Sequence, residues 1–391
     1  MRGTISALMG VSRREMGVAN EIVAGRSWKD ELREGVRDVR SLDDLPLTRE
    51  ELAAARAVSE RYELRVPKNY LDLIDWSDPR DPIRLQVIPS AQELEWAEEE
   101  LADPIGDKAY SPVPRLTHRY PDRVLIFPTY VCSVYCRYCF RKESLTEDQR
   151  GFSKEALQPA LDYVRDHTEI REVILTGGDP LFLSEAALRY LREEIESIPH
   201  VRLLRLHTRV PVALPTKISL EVLRALKGRL MVAIVTHFNH PREITPQAEV
   251  ACRLIREAGF MLLNQTVLLK GVNDDAETLR VLFRELVYTL GAKPYYLHHC
   301  DLVRGMVHLR TTIEKGYELM RQLRGHISGL CNPTYVLDLP EGRGKIPLGP
   351  SYVKQQDPDR RWMFATYDGG SLGYHEVVQE ARSKLDTPAE R

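Results

Sequence analysis

The 391-residue chain reads as an α/β protein centred on an incomplete parallel barrel of six βα units. Three observations lead there. From Arg123 onward, short runs rich in branched apolar residues alternate with amphipathic stretches of helical period, and such alternation builds a parallel sheet with outer helices. The chemically useful side chains collect where the expected strands end, as they do on the carboxyl rim of barrels of this kind. Finally, a chain of this length with 43% hydrophobic residues can bury one large core and carry an appendage.

Residues 1–110 are expected to form an N-terminal helical region. Stretches 49–62 and 91–101 are charged and rich in Leu and Ala, while Pro79 and Pro82 in an Asp-rich connection forbid one continuous helix. Residues 1–18 carry Arg2, Arg13 and Arg14 around a short apolar patch without a signal-peptide core, and are expected to be a disordered or docking arm. Residues 111–338 hold the barrel, with strands near 124–127, 172–176, 203–207, 232–237, 262–269 and 295–298. Helices are expected near 154–166, 185–197, 220–226, 246–258, 276–290 and 313–323. Six units rather than eight leave one side of the barrel open. Residues 339–391 form a C-terminal segment: a Gly-containing loop up to Pro347, two strands near 351–355 and 361–367, and a charged tail.

Composition narrows the function classes. With 55 basic and 57 acidic residues the formal net charge is -2, so no global field recruits nucleic acid or an anionic membrane. No apolar run approaches the roughly 20 residues of a membrane span. Three of the six cysteines crowd into eight positions, unlike a secreted disulfide framework, and a reducing cytoplasm is expected.

That crowd is Cys132-x3-Cys136-x2-Cys139, just after an apolar run. Thiolates are soft ligands suited to iron–sulfur clusters or to zinc. Read as a cubane cluster, three thiolates leave one iron open to a reacting ligand; read as zinc, the set needs a fourth ligand such as His118. Thr176-Gly177-Gly178-Asp179 follows a buried strand, and paired glycines let a ligand approach the backbone. Gly342-Arg343-Gly344-Lys345 has neither the spacing nor the following hydroxyl of a phosphate loop. A lysine on such a loop at a barrel rim is a candidate Schiff-base lysine.

The cysteine spacing, with Tyr138 before the last cysteine, resembles the signature of the radical S-adenosylmethionine (SAM) enzymes. Other stretches make the resemblance more specific. They are SPVP from Ser111, LTHRYPDRVL from Leu116, the Gly177-Gly178-Asp179 turn, THFNHP from Thr236, NQTVLL from Asn264, GVND from Gly271, CDL from Cys300, LRGH from Leu323, and Asp338 through Pro347. In this order, over most of the chain, they resemble the lysine 2,3-aminomutase family, which also uses pyridoxal 5′-phosphate (PLP). The resemblance implies a partial TIM-like (β/α)6 barrel of the radical SAM type and a [4Fe-4S] cluster on Cys132, Cys136 and Cys139. It further implies PLP on Lys345, with Arg119 and Arg123 near its phosphate, and SAM against Gly177, Gly178, Asp179, His237 and Gln265. Arg141 would bind the substrate carboxylate, for which a guanidinium fork is the matched partner. Asp301 and Asp338 would hold the distal ammonium of L-lysine; two carboxylates in one enclosed site need such a cation between them.

The activity so implied is the 2,3-migration of the amino group of free L-lysine, giving L-β-lysine; the alternatives are the same reaction on arginine, glutamate or another amino acid, or a radical SAM enzyme that is not an aminomutase. The implied partners are the free amino acid, an electron donor such as flavodoxin or ferredoxin, and further copies of the chain in a homodimer or homotetramer. The sequence departs from the family at the PLP loop, where Glu341 and Arg343 replace glycines. It departs again at His298-His299, where aromatic or amide residues are usual, and in lacking a C-terminal cysteine cluster. These departures bear on substrate more than on reaction type.

Overall fold

The structure is a computed structural model that describes residues 27–146, 151–356 and 361–376. A nine-stranded sheet runs in chain order from β1 to β9. Its strands are β1 (Leu116–Tyr120), β2 (Arg123–Thr129), β3 (Glu172–Gly177), β4 (Leu203–His207), β5 (Met231–Thr236), β6 (Met261–Leu268), β7 (Lys293–His299), β8 (Thr334–Leu339) and β9 (Gly344–Leu348). Pairing from β2 through β8 is parallel, while β1 and β9 lie antiparallel on the two edges. The sheet curls into a nearly closed barrel. Backbone N–H of Lys345 on β9 donates to Tyr120 Oη on β1 (2.7 Å), tying the two edge strands across the opening.

The six expected strands are all present. The additions are β1, β8 and β9, so the parallel run is one strand longer than the six-unit reading and the segment after Asp338 begins as strand rather than loop. The outer helices lie close to the expected positions: Lys154–Asp166, Glu185–Glu196, Leu220–Leu226, Pro246–Glu257, Ala276–Tyr288 and Ile313–Leu323. Each begins on a Ser, Thr or Asp side chain that accepts a backbone N–H of the first turn, Ser153, Ser184, Ser219, Thr245, Asp275 and Thr312 in order. Their inward faces, such as Leu157, Leu161 and Val164 in the first, are fully buried against the strands. Each buried aliphatic side chain contributes roughly 1.5–3 kcal/mol.

The N-terminal region departs from expectation. Helices occur at Trp28–Glu34 and Arg49–Ser59, but the stretch expected as a helix over 91–101 forms only a 3-10 turn at Ala91–Leu94. The chain then turns again, Glu100 N–H donating to the Ala97 carbonyl (3.1 Å), before Leu101 pairs with the backbone around Leu302 and Val303. This region is not an appendage: Val36, Val66, Tyr70, Ile83 and Val87 belong to the same continuous core as the barrel strands. The arm expected over residues 1–18 lies outside the described residues. At the other end, β10 (Val353–Gln356), β11 (Arg361–Ala365) and β12 (Ser371–His375) form a separate antiparallel sheet, with β12 lying where a charged tail was expected. No helix of the described residues is long and apolar enough to cross a membrane.

Candidate active site

The barrel encloses a cavity of about 750 Å³. Every residue that the family resemblance implies for the site lines it: Cys132, Cys136, Cys139, Arg119, Arg123, Arg141, Gly177, Gly178, Asp179, His237, Gln265, Asp301, Asp338 and Lys345. His118, the candidate fourth ligand of the zinc reading, does not, and is hydrogen-bonded with Tyr163 instead (2.9 Å). The expectation that useful groups sit on one rim needs a correction. Arg123, Glu172 and Arg205 also face the cavity although Arg123 and Glu172 begin their strands, so the site runs down the barrel from rim to interior.

At the rim, the chain leaves β2 and turns into the cysteine loop. All three cysteines border the cavity, although among the described residues no three His, Cys, Asp or Glu side chains are gathered tightly enough to hold a metal ion as they stand. Burial pushes the Cys139 thiol up to about 11 and Cys132 well above its ordinary value, so ligation has to displace protons from these sulfurs. The loop is anchored from beneath by the N-terminal region. Arg65 donates to the Cys132 carbonyl (2.7 Å), and buried Arg137 forms a forked ion pair with fully buried Glu93 (2.5 Å). Arg209, from the end of β4, donates to Cys136 Sγ (2.7 Å).

The Gly177-Gly178-Asp179 turn braces the same loop. A Cβ on Gly178 would lie 2.5 Å from the Val131 carbonyl oxygen, and one on Gly177, at φ +103°, would lie 2.9 Å from that of Thr129. The backbone N–H groups of Gly178 and Asp179 donate to these two carbonyls (2.7 and 3.0 Å). The glycines are thus required by close packing on the loop entrance, a stronger reason than the ligand approach read from sequence. The Asp179 carboxylate is occupied as well, accepting from Thr208 Oγ1 (2.6 Å) and from the backbone of Arg209 and Leu181. Burial raises it to about 6 against those hydrogen bonds.

Deeper in, the ends of β4 and β5 present His207 and His237, β6 presents Gln265 and β7 presents His298. Gln265 contacts His237, and lies 3.4 Å from His207 Nδ1. Burial keeps all three histidines neutral: His237 falls to about 3, and His207 and His298 also drop. Arg205 pairs with Glu172 (2.6 Å).

The opposite end is built by the β8–β9 hairpin. Asp338 and Lys345 are direct partners in its antiparallel register, and the Lys345 ammonium is ion-paired with the Asp338 carboxylate. Burial would raise Asp338, but the His298 hydrogen bond and the Lys345 charge hold it well below the carboxylate range. Asp301 behaves oppositely: burial and the neighbouring Asp338 charge push it up to about 7. The repulsion expected between two enclosed carboxylates is therefore present, with the lysine ammonium taken by one of them. Asp301 Oδ1, His298 Nε2 and His207 Nε2 are buried without a hydrogen-bond partner, the pattern of a wall that meets a polar ligand.

Arg119 and Arg141 share one acceptor that sequence reading missed. Asp107 receives Arg119 Nη2 (2.7 Å) on one oxygen and Arg141 Nη2 (2.8 Å) on the other. Arg141 also stacks over Phe140, 4.3 Å from the ring centre. Arg123 pairs with Asp122 (2.6 Å) and lies over Tyr120, the residue that receives the Lys345 backbone. Asp107 carries no motif that marks it. Arg209 is marked only by its place at the end of the strand over 203–207, and Tyr120 only by lying in the LTHRYPDRVL block.

Comparison with known proteins agrees with this geometry. Residues 126–282 match the Radical SAM superfamily model, and residues 320–389 match the model described as Lysine-2,3-aminomutase. The chain is 42% identical to the L-lysine 2,3-aminomutase of Clostridium subterminale, over 90% of this chain and 84% of that one. It is 40% identical to the Bacillus subtilis L-lysine 2,3-aminomutase, over 93% and 78%. A glutamate 2,3-aminomutase from Clostridioides difficile is 39% identical over 88% and 81%. By these matches the chain belongs to the lysine 2,3-aminomutase family of radical SAM enzymes.

Proposed function

We propose that the chain is a 2,3-aminomutase acting on free L-lysine, with a [4Fe-4S] cluster, SAM and PLP as its cofactors. The observation that carries the substrate is the pair of carboxylates, Asp301 and Asp338, in the wall that also holds Lys345. Identity alone does not separate lysine from glutamate, since relatives of both names are about equally similar. A glutamate side chain would bring a third carboxylate to this wall, whereas an ammonium supplies the missing cation. Asp338 already receives one ammonium, that of Lys345.

When bound, the cluster and SAM supply the radical that removes a substrate hydrogen, and PLP carries the migrating nitrogen. The protein places and encloses. Cys132, Cys136 and Cys139 hold the cluster, and the Gly177-Gly178-Asp179 turn with His237 and Gln265 forms the SAM pocket. Lys345 anchors PLP, with Arg119 and Arg123 directed to its phosphate. Arg141, braced by Asp107 and Phe140, receives the substrate carboxylate, while Asp301 and Asp338 fix the far end, so the carbon chain is stretched between two charge contacts. The neutral histidines add no competing cation to the carboxylates' neighbourhood.

An external one-electron donor such as flavodoxin or ferredoxin, and a cytoplasmic setting, follow from this reading. So does the division into an N-terminal region to residue 110 that props the cysteine loop, a barrel to residue 338, and a C-terminal segment carrying Lys345. Assembly as a homodimer or homotetramer fits the exposed apolar side chains of the C-terminal sheet, Val353, Leu372 and Tyr374. The test is turnover of lysine, arginine and glutamate by anaerobically reconstituted protein. Lysine should be preferred strongly, and a preference for either of the others overturns the assignment.

A further inference from the structure

Arg209 has no place in the scheme above, yet its guanidinium is engaged by four different side chains. It is 6% exposed. Its Nη2 faces Tyr70 Oη (2.6 Å), Gln86 Oε1 (2.8 Å) and Glu243 Oε1 (2.8 Å), and its Nη1 donates to Cys136 Sγ (2.7 Å). Glu243 is fully buried and is itself fixed, accepting from Tyr70 Oη and from the backbone of Asn239 and His240. The main chain of Arg209 is pinned too, its N–H donating to Asp179 (2.7 Å). The guanidinium is thus locked between a carboxylate on its far side and one sulfur of the cysteine loop on its near side.

From this geometry we infer that Arg209 tunes the reduction potential of the cluster held by Cys132, Cys136 and Cys139; the inference rests on the cluster reading given above. Hydrogen bonds to ligand sulfurs and local charge are among the determinants of iron–sulfur potentials, and a buried charge acts more strongly than an exposed one. One electron from an external low-potential donor enters the bound cluster; no bond is made or broken, and Arg209 keeps its protons throughout. The donated hydrogen bond and the fixed positive charge favour the reduced, more negative state, so Arg209 raises the potential. Glu243 partly offsets that field and sets its size. The planar fork meets the sulfur with Nη1 while Nη2 faces phenol, amide and carboxylate, a division that a single lysine ammonium lacks. Arg209 is a positioning residue in this scheme, since it acts through Cys136.

The experiment is an anaerobic redox titration of the reconstituted cluster, followed by electron paramagnetic resonance, in wild type, Arg209→Gln and Glu243→Gln. Iron and sulfide content and the reduced signal of the wild type come first; their absence would refute the cluster reading itself, not the role of Arg209. With the wild-type cluster present, Arg209→Gln should lower the midpoint by at least a tenfold change in the reduced-to-oxidised ratio, 59 mV for one electron. Glu243→Gln, which leaves the guanidinium without its balancing carboxylate, should shift it the other way. A purely structural role would not produce opposite signs. An unmoved midpoint in either variant, or shifts of the same sign, overturns the inference. If Arg209→Gln fails to hold iron, Glu243→Gln decides alone: a rise supports the role and no rise defeats it.

Discussion

The two ends of the cavity are held in place by different means. The lysine end is positioned by a ladder: Asp338 and Lys345 face each other because β8 and β9 are in register, and one tyrosine hydroxyl on β1 completes the bracket. The cysteine end has no ladder. Its loop is irregular, and irregular buried backbone needs partners from elsewhere. Its backbone is met by the Arg65 side chain and by the main chain of Arg65 and Gln86, and its side chains Arg137 and Cys136 by Glu93 and by Arg209, in part from residues more than 40 positions upstream. Regular structure fixes a side chain through its own hydrogen bonds, whereas the cysteine loop is fixed by side chains brought from other parts of the chain. Removing one partner of such a buried ion pair costs about 3–5 kcal/mol, so the cysteine end should be the more easily broken by distant substitutions.

The largest effects should separate the two ends. Replacing Cys132, Cys136 or Cys139 by Ala should abolish both SAM cleavage and isomerisation, with loss of cluster iron. Replacing Lys345 by Ala should abolish isomerisation while leaving the iron and sulfide content at the wild-type level. Borohydride reduction of the wild type should fix PLP to the peptide containing Lys345. Label on Lys270 or Lys293 instead, or full iron and sulfide in a triple cysteine variant, would break the comparison at its root.

A smaller effect sharpens the chemistry of the lysine end. Asp301→Asn should reduce kcat/KM for lysine by roughly a hundredfold or more, as expected when one partner of a buried charge contact is lost. Because burial and Asp338 raise Asp301 to about 7, the carboxylate that receives an ammonium becomes charged only as the pH rises through neutrality. The sign follows: kcat/KM for lysine, which reports groups on the free enzyme, should fall as pH drops below about 7 and be flat above. In Asp301→Asn that limb should vanish. A wild-type profile flat down to pH 5 would show that Asp301 is not the group required.

How legible these ends were in the sequence follows from the same contrast. The cysteine spacing declares itself because soft ligands at short intervals have few other uses, and the βα rhythm declares the barrel because helix and strand periods differ. The props of the cysteine loop were not visible. Arg209, Glu93 and Asp107 sit in ordinary polar contexts, and only folding brings them to their partners across long separations. Glu93 shows how a local pattern misleads: the charged, Leu-bearing stretch 91–101 suggests a helix, but Glu93 is held by Arg137 within a short 3-10 turn and Leu101 pairs with the backbone near Leu302, so no helix is completed. The β8–β9 hairpin was hidden for the opposite reason. Its inward positions are Asp338 and Lys345, so the apolar alternation of a strand is interrupted where the function lies.

The smallest expected effect concerns strain at the lysine end. Glu341 adopts φ 59° and ψ 22°, one of two non-glycine residues with positive φ among the described residues. A side chain with Cβ in that region costs on the order of 1 kcal/mol, and its neighbours at φ +71° and +87° are glycines, Gly342 and Gly344. Glu341→Gly removes the strain but adds freedom to the unfolded chain, which offsets part of the gain. Glu341→Ala keeps the Cβ, and with it the strain, while discarding the carboxylate. The net expectation is a rise in Tm on the order of 1 °C for the glycine variant and none for alanine. Equal behaviour of the two variants would mean that the carboxylate, not the backbone, sets this position. A glycine variant less stable than wild type would show that the ladder and Tyr120 do not suffice to hold the turn before Lys345, and that the lysine end, like the cysteine end, needs a side chain to lock it.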